Sequence, residues 1–357
     1  METGKKLDVQ IEPFETHEHI DRIISLWYTL LPEYKVPEHK LRKLLDDDRA
    51  SHYVAYVRET GSAQPDTVVA DSAGKLAVGF AATYSDMTTF TETERKGYIS
   101  VLLVDPEYQN RGVGTELLMK ATTMLFQVYV CNTICIGSVF PRFWPGVPTD
   151  ISPGSQVFFR RFFPEQLGLK LVEDALCRDL CLDLEGYVSP AAVSARAVEA
   201  GITFSPLTED GFDECMRRQQ ENFQNDGWVA AFEELGEQDL HDQIMVARNR
   251  DGAQIGWAIM VEPGLPVWDE LAFPSLLGDK TGVVACVGVD RHARKIGIGL
   301  ALVDQAIQDL KRREMEHVFV DWVVLQGWYE KLGFQTWREY RTLVWKPEGQ
   351  GQLMTPR

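Results

Sequence analysis

Apolar and polar residues along the chain form a pattern that occurs twice. Residues 100–105 are an apolar, β-rich run, and residues 115–121, after a glycine turn, carry apolar side chains at helical spacing. The same order recurs later, with an apolar run at 283–290 that leads into a helical pattern at 300–310. Two copies of one structural unit are the simplest interpretation of this pattern.

The pattern of each copy predicts a strand, helices, two or three antiparallel strands, the glycine-bearing helix, another strand, a helix and a last strand. This order is typical of an α+β fold and not of a doubly wound parallel sheet. The break between the copies lies near residues 187–202, where a Gly/Pro-containing segment and an Ala-rich stretch follow a strand-like run. We predict an N-terminal domain at 1–188, a C-terminal domain at 202–346 and a tail at 347–357.

Composition and charge narrow the possible functions. The chain has 357 residues, 45% of them hydrophobic, and a formal net charge of −17. This charge argues against a broad surface for nucleic acid or anionic membranes and favours cationic partners, such as small amines or basic peptide tails. No apolar run reaches the roughly 18 residues of a membrane span, and the first residues lack the apolar core of a secretion signal. We predict a cytoplasmic protein, with the nucleus as the alternative, that binds a small amine but neither nucleic acid nor membrane.

The six cysteines raise the question of a metal site. Cys131 and Cys135 have a spacing seen in zinc ligands, and so do Cys177 and Cys181. Both pairs lie in apolar runs with no His at ligand spacing. We therefore predict reduced, buried thiols and no metal.

A Gly-x-Gly turn joins strand and helix in each copy, and the two turns are 185 residues apart. They read QNRGVG at 109–114 and RKIGIG at 294–299. Consecutive N–H groups at the positive end of a helix dipole suit a diphosphate, and glycine lets an anion approach the backbone closely. The third glycine of a dinucleotide-binding fingerprint is absent, because Leu117 and Leu302 stand in its place, and no P-loop lysine follows.

This [Gln/Arg]-x-x-Gly-x-Gly turn after an apolar strand resembles motif A of the Gcn5-related N-acetyltransferase (GNAT) superfamily. The resemblance spans both copies and implies two tandem GNAT domains, each with a mixed, mostly antiparallel central sheet flanked by helices. It also implies acetyl-CoA as the co-substrate, with its diphosphate at the turns and its pantetheine arm along the preceding strands. The implied cofactor-binding residues are Leu103, Val104, Gln109, Asn110, Arg111, Gly112, Val113 and Gly114 in the first copy, and Val287, Gly288, Val289, Arg294, Lys295, Ile296, Gly297, Ile298 and Gly299 in the second.

The second copy carries a further match to the superfamily. Its segment 327–334 (GWYEKLGF) resembles the family's Phe-Tyr-x-x-x-Gly-Phe segment, which implies that Tyr329 is the general acid that protonates the departing thiolate. The alternative is a tyrosine whose ring packs in the core. The first copy has Phe158–Phe163 at this point and no tyrosine, so we expect it to bind CoA without turnover.

The acceptor is predicted from a second, less specific resemblance, to the acetyltransferase portion of fungal family 3 β-N-acetylglucosaminidases. It implies glucosamine as the acceptor, in a cleft lined by Asp321, Trp322 and Trp144. Asp321 would hold or deprotonate the amine; alternatively it ends a strand or pairs with an arginine. The Trp144 loop either lines this pocket or packs at a domain interface. Two rival functions remain at this point, a protein lysine acetyltransferase and a non-catalytic sensor of acetyl-CoA or amino sugar.

Overall fold

The computed structural model describes residues 7–58, 75–85, 95–139, 141–161, 167–223, 228–294 and 297–347. The chain divides into two compact units, of which the first comprises Met1–Leu176 with Tyr340–Arg357 and the second Cys177–Glu339.

The elements of the first half of the chain are β1 (Val9–Pro13), α1 (Thr16–Leu30), α2 (Glu38–Leu45), β2 (Tyr53–Arg58), β3 (Lys75–Ser85), β4 (Lys96–Val104), α3 (Val113–Gln127), β5 (Thr133–Ile136), β6 (Val147–Pro148), α4 (Pro153–Arg161) and β7 (Leu169–Asp183). Those of the second half are α5 (Ala191–Ala200), β8 (Thr203–Pro206), α6 (Phe212–Phe223), α7 (Trp228–Glu237), β9 (Ile244–Arg248), β10 (Gln254–Val261), β11 (Thr281–Val289), α8 (Ile298–Arg312), β12 (His317–Val323) and β13 (Gln335–Pro347). None of the described helices is long and apolar enough to cross a membrane.

Both units have the same strand order. In the first, β1, β2, β3 and β4 pair antiparallel, β4 pairs parallel with β5, and β5 pairs antiparallel with β13. In the second, β8, β9, β10 and β11 pair antiparallel, β11 pairs parallel with β12, and β12 pairs antiparallel with β7. The predicted α+β class with mixed, mostly antiparallel sheets is confirmed.

The last strand of each unit comes from the other copy of the sequence pattern. Leu343 of β13 pairs with Ile136 of β5 in the first unit, and Cys181 of β7 pairs with Phe319 of β12 in the second. The compact units therefore differ from the predicted domain boundaries, since residues 177–188 belong to the second unit and 340–346 to the first. The physical reason is strand pairing between residues far apart in sequence, which apolar patterning does not encode.

One helix covers the core of each sheet. In α3 the buried residues Leu117, Ala121 and Leu125 recur every four positions, and in α8 Leu302 and Ala306 do the same. Strand β11 is buried from Thr281 to Ala285, as expected for a strand covered on both faces. The helix that follows each glycine turn is thereby fixed to its sheet, which also fixes the direction of its N-terminus.

Candidate active site

The two glycine turns have the same backbone geometry. Gly112 is the N-cap of α3 with φ 95°, and Gly297 is the N-cap of α8 with φ 85°. Both values lie in the left-handed region, where a side chain is strained, so glycine is required at these two positions. The first N–H groups of each helix lack an intrahelical acceptor and point out of the turn.

The polar residue that opens each turn bonds back to the preceding strand. Gln109 donates from Nε2 to the Val104 carbonyl at 2.9 Å, and Arg294 donates from Nε to the Val289 carbonyl at 3.2 Å. These two side chains therefore help to shape the turns that they open. The predicted residues Lys295 and Ile296 lie outside the described residues.

The second glycine of each turn packs against an aromatic side chain, and this shared contact shows which residues of the two units correspond. A Cβ on Gly299 would lie 3.2 Å from Trp328 Cζ2, and one on Gly114 would lie 3.5 Å from Phe158 Cζ. The residue after each aromatic packs edge-on against it, Tyr329 with a ring-centroid distance of 4.6 Å and Phe159 with one of 5.6 Å. Phe159 thus occupies the place in the first unit that Tyr329 occupies in the second.

The strand before the second turn has a β-bulge. Trp257 pairs with Gly288 but Ile259 pairs with Ala285, so that Ala258 faces two residues of β11. Cys286, in this bulge, has φ 49°. In the first unit the bulge of β4 lies one residue pair earlier, at Ser100. A bulge thus interrupts the strand before each glycine turn, and in the second unit it adjoins the predicted cofactor-binding residue Val287.

Packing of α6 against β11 explains why position 288 is a glycine. A Cβ there would lie 2.5 Å from Phe223 Cζ, because the ring of this α6 residue lies against the strand. Gly288 therefore lets α6 approach β11, and the neighbouring residues Val287 and Val289 are the more exposed ones of the predicted set.

Parallel pairing between β11 and β12 is short. It runs from Thr281 opposite His317 to Val283 opposite Phe319, and within the described residues of the two strands it does not continue. Beyond Val283 the two strands are no longer paired in this ladder, and the bulge of β11 lies in the unpaired part.

Tyr329 combines core packing with a position beside the bulge. It is 8% exposed, and its ring contacts Phe334 as well as Trp328. Burial, and secondly the nearby Cys286 thiol, raise its pKa above the ordinary value for tyrosine. The phenol is therefore protonated at neutral pH and can act only as a proton donor.

A residue that the sequence analysis did not single out holds the segment of Tyr329. Arg178 of β7 donates to Glu330 Oε1 at 2.7 Å and to the Leu325 carbonyl at 2.8 Å. Its guanidinium thus ties both ends of the segment that precedes and includes the tyrosine. No local signal marks Arg178, because its partners lie about 150 residues away.

Asp321 and Trp322 lie at a second irregularity, in β12. The pairing with β7 shifts between Val320 and Val323, and Trp322 has φ 48°. The Trp322 N–H donates to Asp179 Oδ1 at 3.0 Å, and Asp179 is a buried carboxylate of β7. Asp321 itself is half-buried.

The first unit lacks a carboxylate at the place of Asp321. The pair Lys96–Thr133 of the first unit corresponds to the pair Thr281–His317 of the second. Counting four residues further along β5 and β12 shows that Gly137 corresponds to Asp321. Gly137 has φ 99°, and a Cβ on it would lie 2.6 Å from the Trp144 carbonyl oxygen. Backbone of the Trp144 loop therefore fills this position in the first unit.

Trp144 itself is a packing residue of the first unit. It is 5% exposed, lies stacked on Trp27 at 5.2 Å, and meets Tyr34 edge-on at 5.3 Å. This burial does not fit the predicted contact with substrate, because protein covers the ring faces that would stack on a sugar.

No disulfide joins the six cysteines, all of which the structure describes. Burial raises the pKa of Cys181 to about 11 and that of Cys215 to about 12, so both thiols are protonated at neutral pH. Among the described residues, no group of three or more His, Cys, Asp or Glu side chains is placed to hold a metal ion.

The model of the acetyltransferase (GNAT) family matches residues 24–137 and 209–334. The chain therefore belongs to the GNAT family, with one match in each sequence copy. No curated protein matches the chain significantly.

Solved structures resemble the chain over nearly its whole length. A glucosamine N-acetyltransferase region of a fungal multi-domain GH3 β-N-acetylglucosaminidase shares 27% identity at a TM-score of 0.81, over 96% of this chain and 38% of that one. This chain thus spans little more than a third of the fungal protein. A GCN5-related N-acetyltransferase from Sphaerobacter thermophilus (14% identity, TM-score 0.61, 95% and 96% covered) and a tandem GNAT protein from the clavulanic acid biosynthesis pathway (15%, 0.55, 94% and 98%) share the fold.

Proposed function

We propose that the chain transfers the acetyl group of acetyl-CoA to a primary amine, that the second unit is the catalytic one, and that the acceptor is an amino sugar such as glucosamine. The observation that carries this proposal is the place of Tyr329, a protonated phenol beside the bulge of β11 and next to a cation-rich glycine turn.

The residues of the second turn fit the diphosphate of acetyl-CoA. Gly297 opens α8 with a left-handed φ, and the first turn of α8 contains no acidic residue. Residues 291–299 carry three cationic side chains, Arg291, Arg294 and Lys295, and no carboxylate. A dianion is therefore attracted both by the helix N-terminus and by these charges.

The chemistry follows from the side chains around the bulge. The amine nitrogen attacks the thioester carbonyl, a C–N bond forms, and the C–S bond breaks. An N–H of the β11 bulge stabilises the carbonyl oxygen as it gains negative charge. Asp321 accepts the proton that the ammonium group must lose before attack, and Tyr329 gives its proton to the departing sulfur. The second proton, which the nitrogen loses as the amide forms, restores the Tyr329 phenol through solvent.

The acceptor is proposed from charge and from similarity. Asp321 and the buried Asp179 lie on adjacent strands at the β12 irregularity, and their carboxylates favour a cationic amine. The fungal region that matches 96% of this chain is a glucosamine N-acetyltransferase, which supports an amino sugar here. A lysine-bearing basic peptide is the second candidate, and the net charge of −17 favours it.

The first unit is proposed to bind CoA without turnover. It keeps the turn of Gly112 and the Gln109 bond, but Phe159 stands in the place of Tyr329 and Gly137 in that of Asp321. Both groups to which we assign proton transfer in the second unit are missing from it. A sensor role for this unit fits the same observations.

An amine panel with acetyl-CoA tests the proposal through release of free thiol. Glucosamine, spermidine and a histone-like basic peptide are compared at equal concentration, with wild type and Tyr329→Phe side by side. We expect release with glucosamine by wild type only. Release with the peptide alone would replace the proposed acceptor, and release with none of these amines, despite CoA binding, would favour the sensor.

A further inference from the structure

A cationic side chain from outside the family motif lies over the second glycine turn. Arg196 of α5 has its Cδ 3.3 Å and its Cβ 3.6 Å from the point that a Cβ on Gly297 would occupy. The aliphatic stem of Arg196 therefore crosses the N-cap of α8, which places an exposed cationic side chain beside the first turn of that helix. The sequence analysis treated the segment of Arg196 as a linker.

The linker brings Arg196 to this place by running antiparallel to α8. The Tyr187 carbonyl accepts a hydrogen bond from Lys311 Nζ at 2.8 Å, near the end of α8. Ser189 donates to Asp304 Oδ1 at 2.8 Å, in the middle of α8, and Arg196 follows at Gly297. Residue numbers rise along the linker as they fall along α8, so α5 reaches the N-terminus of α8 with its second half.

Helix α5 is fixed along its length and at its end. Val193 and Ala197 are buried in the core cluster that contains Ile298 of α8. At the C-terminus Gly201 adopts φ 70°, and Arg250 donates to the Glu199 carbonyl at 3.1 Å. Arg196 thus stands on a rigid element that holds it over the turn.

The charge of Arg196 lies at the surface of the second unit. Its side chain is exposed, and among the described residues it has no hydrogen-bond or ion-pair partner. It stands beside a helix N-terminus that is itself positive and has no acidic residue in its first turn. Two like charges placed together without a counter-charge favour the binding of an anion between them.

The first unit is equipped differently. Its turn contains Arg111, whose guanidinium lies 5.7 Å from the centre of the Tyr108 ring, and the first turn of α3 contains Glu116. At the position of Arg111 the second turn has Ile296. The second turn thus lacks the internal arginine of the first and has Arg196 nearby instead.

We propose that Arg196 binds the diphosphate of acetyl-CoA at the second glycine turn. This inference rests on the proposed function, because it deepens the acetyl-CoA site assigned there. A guanidinium offers paired donors to phosphate oxygens and keeps its charge at every physiological pH. The linker helix is then a part of the cofactor site as well as a connection between the two sequence copies.

Calorimetry on the full chain tests the proposal with CoA and with dephospho-CoA, which keeps the diphosphate but lacks the 3′-phosphate. Arg196→Gln removes the charge, Arg196→Lys keeps it, and Arg312→Gln removes a charge from the opposite end of α8 as the matched control. Because a hydrogen bond to a charged group is lost, we expect Arg196→Gln to weaken binding of both ligands about 10-fold at the second turn. Arg196→Lys should recover part of this loss, and Arg312→Gln should bind as wild type does. Raising the salt concentration should reduce the difference between Arg196→Gln and wild type.

Three results would overturn the inference. Unchanged affinity in Arg196→Gln would show that the guanidinium does not touch the ligand. A loss with CoA but not with dephospho-CoA would assign the contact to the 3′-phosphate. An equal loss in Arg196→Lys and Arg196→Gln, with a lowered unfolding midpoint in both, would indicate a packing role. If wild type bound neither ligand, the proposed function itself would fall, and that result is distinct from the other three.

Discussion

The two glycine turns of this chain share their backbone and differ in their surroundings. Gly112 and Gly297 have nearly the same φ, and in each turn the opening side chain bonds to the last carbonyl of the preceding strand. The segment of Tyr329 packs against the second turn and the stem of Arg196 crosses it, whereas the first unit has Phe159 in the place of Tyr329 and Gly137 in that of Asp321. The comparison teaches that the turn is a backbone property set by glycine, and that the side chains to which we assign proton transfer come from other elements.

The largest expected effect on activity comes from the aromatic pair that packs against each turn, Trp328 with Tyr329 in the second unit and Phe158 with Phe159 in the first. Tyr329→Phe should lower kcat for acetyl transfer about 10²–10⁴-fold with CoA affinity nearly unchanged, because the general acid is lost and the ring is kept. Steady-state thiol release and CoA calorimetry measure the two quantities.

The reciprocal variant Phe159→Tyr is the matched control for this change. It should not add activity, because Gly137 still leaves the first unit without a carboxylate. A Tyr329→Phe enzyme with wild-type turnover would remove the acid role. Gain of activity in Tyr329→Phe/Phe159→Tyr would show that the first unit needs only the phenol.

The exchanged strands allow the stability of each unit to be changed from the other sequence copy. Leu343 of β13 is fully buried in the first unit, and Leu182 of β7 is buried in the second. Leu343→Ala should lower the free energy of unfolding of the first unit by about 2–5 kcal/mol, and Leu182→Ala should do the same for the second. Hydrogen exchange, read peptide by peptide, locates each loss. Equal exchange of residues 95–139 in wild type and Leu343→Ala would contradict the assignment of β13 to the first unit.

A negative charge on either turn tests which of them binds CoA more tightly. Gly297→Glu should weaken CoA binding at the second unit roughly 10–100-fold, because it strains a left-handed residue and places a carboxylate at the diphosphate. Gly112→Glu should remove a second, weaker site and leave turnover unchanged. Calorimetry of each variant counts the sites, and Gly297→Ala separates backbone strain from charge. One site per wild-type chain, insensitive to Gly112→Glu, would make the first turn purely structural.

The smallest effect is expected at the amine. Asp321→Asn removes both the charge that faces an ammonium group and the acceptor of its proton, but keeps the side-chain shape. The KM for glucosamine should therefore rise about 10-fold and kcat should fall as well, while CoA affinity is retained. Trp322→Phe serves as a neighbouring control that leaves the carboxylate in place. An unchanged KM in Asp321→Asn would return this residue to the alternative interpretation, a carboxylate that only ends its strand.

The sequence by itself determined the duplication, the two glycine turns and the α+β class. These are local properties, because a glycine with left-handed φ and a strand–turn–helix pattern are set by residues within about ten positions of one another. The family and the place of Tyr329 followed from motifs of the same kind. Likewise, the sequence showed that residues 158–163 of the first copy contain no tyrosine, although only the packing of Phe158 on Gly114 showed that Phe159 takes the place of Tyr329.

Only the tertiary structure decided which copy of the pattern supplies the last strand of each unit, and that Trp144 is buried against Trp27. The same holds for Arg178, which holds the Tyr329 segment, and for Arg196, which lies over Gly297. In each case the partners are separated by about 100 residues or more. Apolar periodicity specifies that a strand or an aromatic ring must be covered, but it does not specify what covers it, because the burial of apolar surface is non-directional.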